Sequence, residues 1–319
     1  MKSQSAVAAA TLDAAEHCRP RPERPGAVRS GGVARVVFTL AGLSSLLIMA
    51  FIVLFLFREG LGLFTTVDLG HFLWGKLWYP TYDPPDFGIL PLIAGSVAVT
   101  ALSSALAVPL GLGSAFYLAE VASPRLREVV KPAVELLAGL PSVVLGFVGM
   151  VVLAPLMQKW WDIPTGLNLL NASLMLAVMA VPTITSLAED ALQAVPEELA
   201  QASLALGATR WETLVRVKIP GALSGMATGV ILGMSRAMGE TMVVLMVAGG
   251  AAMIPGGIFD PVRPLPATIA AEMGEAPVGG EHYFALFAIG IVLFLLTLAF
   301  NLVASLISVR FQQKGAATL

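Results

Sequence analysis

The sequence is poor in charged residues and has almost no cysteine. Asp, Glu, Lys and Arg make up only 13% of its 319 residues, and 57% of the residues are hydrophobic, whereas soluble domains carry about 25% charged residues. The single cysteine, Cys18, excludes an intrachain disulfide and a Cys-rich metal framework. A formal net charge of −2 offers no basic surface, so we expect no nucleic-acid partner. These deficits indicate a chain whose solvent is largely lipid.

Two kinds of chemical site are also missing from the sequence. The three histidines, His17, His71 and His282, are too dispersed for a metal site, and we expect each to be a lone exposed side chain. The phosphate-binding pattern G-x-x-x-x-G-K-[ST] does not occur, so we expect the chain to hydrolyse no ATP and not to be an enzyme. Asp83 and Asp86 lie in "YDPPDFG", where the two prolines predict a turn rather than a catalytic carboxylate pair.

Long apolar runs dominate what remains. About 20 apolar residues, rising 1.5 Å each, cross a hydrocarbon core of about 30 Å, and backbone groups in lipid must find partners within their own segment. We therefore predict an all-α integral membrane fold with six transmembrane helices. The predicted spans cover residues 36–57, 90–118, 132–157, 171–187, 222–248 and 284–309.

The segments outside this transmembrane domain, which we place at residues 36–310, are polar. Residues 1–35 interleave prolines with arginines in "RPRPERPGAVRSGG", and this composition predicts a disordered basic tail. Residues 311–319 form a second, short tail. Both tails are predicted to be cytoplasmic.

The distribution of Lys and Arg sets this orientation. With the first tail inside, fourteen of the 19 basic residues fall in inside segments, four fall outside, and Arg236 lies within a span. An excess of Lys and Arg marks the cytoplasmic side. Trp74, Trp78, Tyr79 and the Trp160-Trp161 pair fall on the outer side, where we expect interfacial aromatic residues. Residues 249–280, rich in Gly and Pro, are predicted to form a structured loop at the external mouth.

The predicted cytoplasmic loop, residues 189–221, differs from a simple connection. Pro196 followed by two glutamates is typical of a helix start, Gly207 of a helix end, and Pro220 closes a second segment. One interpretation is a compact protrusion made of two short amphipathic helices. The other is a loop that lies on lipid headgroups, with Arg210, Arg216 and Lys218 touching phosphates. The residue pattern by itself leaves both open.

The same loop resembles a known signature. Gln201-Ala202-Ser203, then Gly207, then Val217-Lys218-Ile219-Pro220, is similar to the EAA–G–I-x-L-P pattern of importer-type ABC transporter permeases, with Gln, Ser and Ile in place of Glu, Ala and Leu. The resemblance implies a type I importer permease fold, in which a coupling helix docks on a cytoplasmic ATPase. Gln201 is neutral, so it cannot form the salt bridge that a glutamate could form at this position. The implied coupling residues are Gln201, Ala202, Ser203, Gly207, Ala208, Trp211 and Pro220.

Longer stretches narrow the resemblance to phosphate-importer permeases of the PstC type. They are "LAGLPSVVLGFVG", "VPTITSLAEDALQAVPEEL", "ALGATRWETLVRVKIP", "SRAMGETMVVLMVAGG" and "TIAAEMGEA". The resemblance implies a subunit of the bacterial inner membrane with no cofactor of its own. Its implied partners are a PstA-like second permease, an ATP-binding subunit dimer that holds ATP and Mg, and an extracytoplasmic phosphate-binding protein. Permeases for sulfate or molybdate are the nearest alternative.

Two charged residues stand inside the fifth span. Arg236 and Glu240 are four residues apart, so on a continuous helix they share a face and can pair. A charge at the bilayer centre costs at least about 2.5–3.5 kcal/mol, which favours a role in the substrate path, together with Thr241. In this hypothesis Arg236 holds phosphate transiently and Glu240 holds the guanidinium when the site is empty. The alternative is a buried pair that only locks the helix bundle.

Small residues recur every fourth position beside this pair. Gly225, Gly229 and Gly233 predict a close helix–helix contact. Two functions of other classes stay open. One is a self-contained transporter driven by protons through Glu240, and the other is a membrane scaffold or sensing module.

Overall fold

The computed structural model describes the backbone of residues 27–317 and the side chains of residue 32 and residues 34–306. Cys18, His17 and the prolines of the first tail lie outside the described residues. The chain divides into two units, residues 1–55 and 56–319. Helix α1 (Ala27–Leu61) begins inside the segment predicted to be disordered. The prediction is therefore wrong for residues 27–35, because Pro25 is the last proline before this helix and nothing after it forces the helix to break.

Six helical segments of the described chain are long and apolar enough to cross a membrane, as predicted. Their bounds are Ala34–Thr65, Leu90–Val121, Ser142–Trp161, Leu169–Gln193, Arg210–Met238 and Glu281–Leu306.

The second unit is built from helices joined by short turns. In chain order its elements are a 3₁₀ turn (Gly62–Thr65), α2 (Leu69–Trp74), β1 (Trp78–Tyr79), β2 (Asp86–Phe87), α3 (Leu90–Phe116), a π turn (Tyr117–Val121), α4 (Pro124–Ala138), α5 (Ser142–Val148), a π turn (Gly149–Leu153), α6 (Ala154–Trp161), α7 (Leu169–Gln193), α8 (Glu197–Ala205), α9 (Arg210–Thr213), a π turn (Leu214–Lys218), α10 (Ile219–Met238), α11 (Met242–Val247), α12 (Leu265–Glu272) and α13 (Glu281–Ala317).

The third span differs from its prediction, residues 132–157. Helix α4 is a separate amphipathic helix, capped by Ser123 and ended at Gly139, and the span proper begins at Ser142. Helix α4 has charged side chains on one face and apolar side chains on the other. A hydropathy average along the sequence does not separate the two faces, so the predicted span wrongly included the last residues of α4. Pro141, whose nitrogen carries no hydrogen, stands at the N-cap of α5.

The fifth span also differs from its prediction, residues 222–248. The helix starts earlier, at Arg210, and stops at Met238, and a second helix, α11, follows after a three-residue break. Pro220 was predicted to close the loop. It lies instead in the first turn of α10. The wide π turn just before it (Leu214–Lys218) gives the proline ring the room that a regular α turn would deny it.

Helices α3, α7 and α10 form the centre of the second unit. A Cβ added at Gly225 would lie 2.5 Å from the Ala191 Cβ, and one at Gly233 would lie 2.6 Å from the Ile184 Cγ1. One at Gly229 would lie 2.9 Å from the Leu187 Cβ. The glycine row of α10 therefore lies directly against α7, at distances that any larger residue would prevent.

The predicted outer side carries the irregular structure. Residues 249–280 contain α12, whose first residues, Leu265 to Thr268, are buried. The Asp83–Asp86 segment is the turn between β1 and β2, with a cis peptide bond before Pro84. Trp78 is not an interfacial side chain as predicted, because it is 3% exposed and its indole Nε1–H donates to the Glu272 carboxylate.

The two described histidines are paired rather than lone. His282 lies 2.9 Å from the Glu272 carboxylate, which also binds Arg263 at 2.5 Å. His71 Nε2 lies 3.1 Å from Asp86 Oδ1. Each of these partners lies 9 to 15 residues from the other in the chain, so the contacts form within the outer loops.

Candidate translocation path and coupling surface

The break in the fifth span decides how its charged residues are used. Helix α10 ends at Met238 with Gly239 as its C-cap. Oε1 of Glu240 then accepts hydrogen bonds from the backbone N–H groups of Met242 (3.2 Å) and Val243 (3.5 Å). A carboxylate at the start of a helix satisfies amide groups that have no partner within that helix. Glu240 therefore stabilises the start of α11.

The predicted Arg236–Glu240 ion pair is wrong for this reason. The two residues do not share a helical face, since the helix ends between them. The Arg236 guanidinium instead donates through Nη2 to the carbonyl of Ala138, at 3.3 Å. Ala138 is the last residue of α4, where carbonyl groups lack helical partners and the helix dipole is negative. The positive charge of Arg236 is thus held by backbone dipoles and not by a carboxylate.

Arg236 nevertheless lies within the membrane-crossing region. Gly233 contacts Ile184, near the middle of α7, and Arg236 is one turn further along α10. Its side chain is exposed. Thr241, the third predicted path residue, is partly buried, and its hydroxyl donates to the Gly239 carbonyl at 3.4 Å. The side chain of Arg236, on α10, therefore contacts the C-terminal end of α4. Glu240 and Thr241 lie in the break between α10 and α11.

Most of the surface of α10 contacts α7 or α13, or lines a groove, and one face is exposed. The glycine row lies on α7, and the Ser235 hydroxyl donates to the side-chain oxygen of Asn301 on α13. A groove of about 340 Å³ between α10 and α13 has an almost wholly apolar lining that includes Ile231. The remaining face carries Thr228, Leu232 and Arg236, each four residues from the next and all exposed.

A second charged cluster was missed by sequence reasoning. Glu189, near the end of α7, is 0% exposed and lies 2.6 Å from the Arg127 guanidinium and 2.8 Å from the Lys131 ammonium group. Lys131 also lies 2.8 Å from Asp190. Its hydrogen bonds to Asp190 and then Glu189 raise the pKa of the Lys131 ammonium group.

This cluster attaches α4 to α7. No residue of α4, which the structure describes in full, is buried, so these ion pairs and the Arg236 contact supply much of its attachment. One signal was available in the sequence. Arg127 and Lys131 are four residues apart on one face of a helix, and an acidic pair, Glu189-Asp190, ends an apolar span.

The coupling loop forms a helix, a glycine turn and a second helix start. Helix α8 begins after Pro196, as predicted, and Gly207 follows its end with a φ of +88°, a left-handed conformation that favours glycine. The Thr209 and Glu212 side chains each bond the other's backbone N–H to start α9. The second helix is not a separate short one as predicted, because it continues through the π turn into α10. The Ser203 and Thr213 hydroxyls lie 3.0 Å apart and join the two segments.

Large apolar side chains of this loop remain uncovered. Leu206 is 90% exposed and Trp211 is 71% exposed. Behind them lies a groove of about 690 Å³, lined by residues that include Gln201, Trp211 and Lys218. Lys218 is fixed by an ion pair of 2.5 Å with Glu120. Exposed apolar side chains of this size, rimmed by polar ones, are typical of a surface that another protein or a membrane covers.

The other predicted coupling residues lie on the same protrusion. Ala202 is exposed on α8, and Ala208 is partly buried beside the turn. The Ala208 amide donates to the Ser203 carbonyl at 3.3 Å, which closes the glycine turn. Pro220 lies outside this protrusion, in α10.

The chain is similar to known transport proteins in sequence and in structure. Residues 107–314 match the family of binding-protein-dependent transport system inner membrane components. The probable ABC transporter permease protein YqgH of Bacillus subtilis is 38% identical, over 86% of this chain and 90% of that protein. The phosphate transport system permease protein PstC of Mesorhizobium japonicum is 36% identical, over 77% of this chain and 80% of that protein.

Solved structures share the fold. A chain of a bacterial ABC transporter involved in the import of the acidic polysaccharide alginate superimposes with a TM-score of 0.59 and 15% identity, over 88% of this chain and 99% of that chain. A chain of the inward-facing MetNI methionine ABC transporter superimposes with a TM-score of 0.55 and 20% identity, over 70% of this chain and 95% of that chain. At these identities the likeness shows the fold of type I importer permeases.

Proposed function

Because this chain belongs to the family of binding-protein-dependent transport system inner membrane components, we propose that it is the PstC-type permease subunit of an ATP-driven inorganic phosphate importer. It forms one half of the translocation path and performs no chemistry of its own. Relatives named as phosphate transport system permease proteins support phosphate as the substrate. The observation that carries the proposal is the exposed guanidinium of Arg236, placed within a span and held by a backbone carbonyl alone.

The chemistry of Arg236 suits a transient anion site. Phosphate carries one to two negative charges near neutral pH, and a guanidinium offers both positive charge and a donor fork that matches two oxyanion oxygens. A carbonyl is a weaker partner for the guanidinium than a carboxylate would be. The anion can therefore displace Ala138 without breaking an ion pair. Ala138, rather than Glu240, is the group that holds Arg236 when no anion is bound.

Other chains supply energy and delivery in this proposal. A PstA-like permease completes the path, and a dimer of ATP-binding subunits, which holds ATP and Mg, docks on the coupling loop. The exposed Leu206 and Trp211 side chains support that docking. A phosphate-binding protein docks on the opposite side. Both termini are cytoplasmic, as the bias of Lys and Arg indicates.

The same geometry weakens the proton-driven alternative. That mechanism needs a carboxylate free to gain and lose a proton within the membrane. Glu240 is engaged with two backbone amides at the start of α11. The fold therefore uses this carboxylate as a hydrogen-bond acceptor for the start of α11.

The test is phosphate uptake by the complete complex in proteoliposomes, with the binding protein outside and ATP inside. We expect Arg236→Gln to abolish uptake while the complex still assembles and hydrolyses ATP. Arg236→Lys keeps the charge but loses the donor fork, and should retain partial uptake. Arg125→Gln removes an exposed arginine of α4 that lies outside the coupling loop, and serves as the control. Normal uptake by the Arg236→Gln complex would refute the proposal, and competition by sulfate or molybdate would reassign the anion.

A further inference from the structure

The exposed face of α10 carries one bulky apolar side chain next to Arg236. Leu232 lies four residues before Arg236, one turn or about 6 Å closer to the predicted cytoplasmic side, and is 49% exposed. One turn further lies Thr228, whose hydroxyl donates to the Ser224 carbonyl at 2.9 Å. This part of the face therefore offers an anion neither a charge nor a free hydrogen-bond donor.

We propose that Leu232 forms the apolar barrier that the anion must cross after it leaves Arg236 towards the coupling-loop side. An anion loses its hydration when it passes an apolar constriction, and a narrow apolar segment also expels water, so the constriction resists flow until it widens. The barrier keeps phosphate at Arg236 until movement of the complex separates Leu232 from the surface of the second permease that completes the path. This inference rests on the proposed function, because it requires that the Arg236 face lines the path.

The adjacent residue provides a matched control. Ile231 has a side chain of the same volume at the same depth, but it points into the apolar groove between α10 and α13. Substitutions at the two positions therefore cost the helix the same polarity and the same volume. Only the substitution at position 232 changes the face that carries Arg236.

The first experiment measures access of water-soluble anions to that face. Cysteine is placed at position 232 or 231 of this chain in the complete complex, with Cys18→Ser to remove the only native cysteine of this chain. A negatively charged methanethiosulfonate reagent is then applied from the coupling-loop side while the complex hydrolyses ATP, so that the barrier opens in each cycle. We expect modification of Leu232→Cys at least about tenfold faster than that of Ile231→Cys. Equal rates during turnover would show that this face never opens to water, and would overturn the inference.

The second experiment measures leak. Complexes with Leu232→Ser or Ile231→Ser are reconstituted in vesicles loaded with phosphate, without ATP. We expect Leu232→Ser to raise phosphate efflux by about tenfold or more, since the transfer free energy of a leucine side chain corresponds to a factor of this size. Leu232→Met should restore a tight barrier, and Leu232→Ala should leak even if the serine variant fails to assemble. Tight vesicles with both small substitutions would overturn the barrier.

The Arg236→Gln complex separates this inference from the proposed function. If that variant transports normally, the proposed function fails together with the barrier. If it is inactive while the Leu232 variants neither leak nor react faster than the Ile231 variants, only the barrier is refuted.

Discussion

Replacing Glu189 by glutamine should loosen α4 from α7. The Glu189 carboxylate is fully buried between the Arg127 guanidinium and the Lys131 ammonium group. Glutamine keeps the shape of the side chain and removes its charge. Both cations then lose their buried partner, and Lys131 keeps only its contact with Asp190.

The magnitude follows from how far the cluster is buried. Breaking a fully buried ion pair by removing one partner costs about 3–5 kcal/mol. The Arg127 and Lys131 side chains are 31% and 28% exposed, so solvent offsets part of this loss. We therefore expect the attachment of α4 to weaken by about 1–3 kcal/mol, which corresponds to about 5–150-fold.

Hydrogen exchange measured on the assembled complex reports this change locally. Exchange of the α4 amides (Pro124–Ala138) should speed up by that factor in Glu189→Gln, while the amides of α7 stay protected. Asp190→Asn is the matched control, because Asp190 is 57% exposed and pairs with Lys131 alone. In this control the free energy of α4 attachment, obtained from the exchange rates, should change by less than about 1 kcal/mol. Equal exchange in the two variants would refute the assignment of α4's attachment to Glu189.

The pH dependence of this attachment has a defined sign. The pKa of Lys131 is raised in the folded protein, so its contribution is fully present below the ordinary lysine pKa of about 10.4 and is lost as pH rises through the higher folded value. Once corrected for intrinsic exchange, the protection of α4 should therefore be unchanged from about pH 6 to about pH 9. A loss of protection within that range would show that another group controls the contact.

Two further predictions test the packing of α10 and the coupling surface. Gly233→Ala places a Cβ 2.6 Å from Ile184 and should destabilise the complex by about 1–3 kcal/mol in thermal unfolding. Gly113→Ala, with open space around its Cβ, should stabilise it by about 0.5–1 kcal/mol; loss of stability in both would implicate glycine flexibility instead. Trp211→Ala should lower the fraction of permease that co-purifies with the ATPase at least about fivefold without changing permease stability, and unchanged co-purification would remove Trp211 from the docking surface.

The helices of this protein were predictable where the apolar character of a segment is uniform. Spans such as Leu90–Val121 and Leu169–Gln193 have no helix-ending break, so a local sum of hydropathy locates them. The same sum misplaced the third and fifth spans. In the third, the polar face of α4 is averaged with its apolar face, and in the fifth, the break at residues 239–241 is too short to lower the average. Pro220 led to the wrong start for the fifth span, because a proline usually breaks a helix. The π turn that accommodates it cannot be predicted from the residues around it.

The roles of Arg236 and Glu240 show a different limit. Their spacing predicts a pair only if the helix continues, and Gly239 was the single residue that indicated otherwise. Nothing near Arg236 in the sequence points to Ala138, almost a hundred residues earlier. The Glu189 cluster is similar, because its partners come from α4 and α7 and meet only when those helices lie side by side.

The sequence by itself determined the solvent, the number of spans, the glycine row and the position of an arginine inside the membrane. Each of these depends on a residue and its near neighbours, since hydropathy, helical spacing and the size of a side chain are local properties. The tertiary structure alone decided which group holds that arginine, which carboxylate is buried, and which face of α10 stays open. Those outcomes depend on distances between segments far apart in the chain, and such distances exist only after the helices have packed.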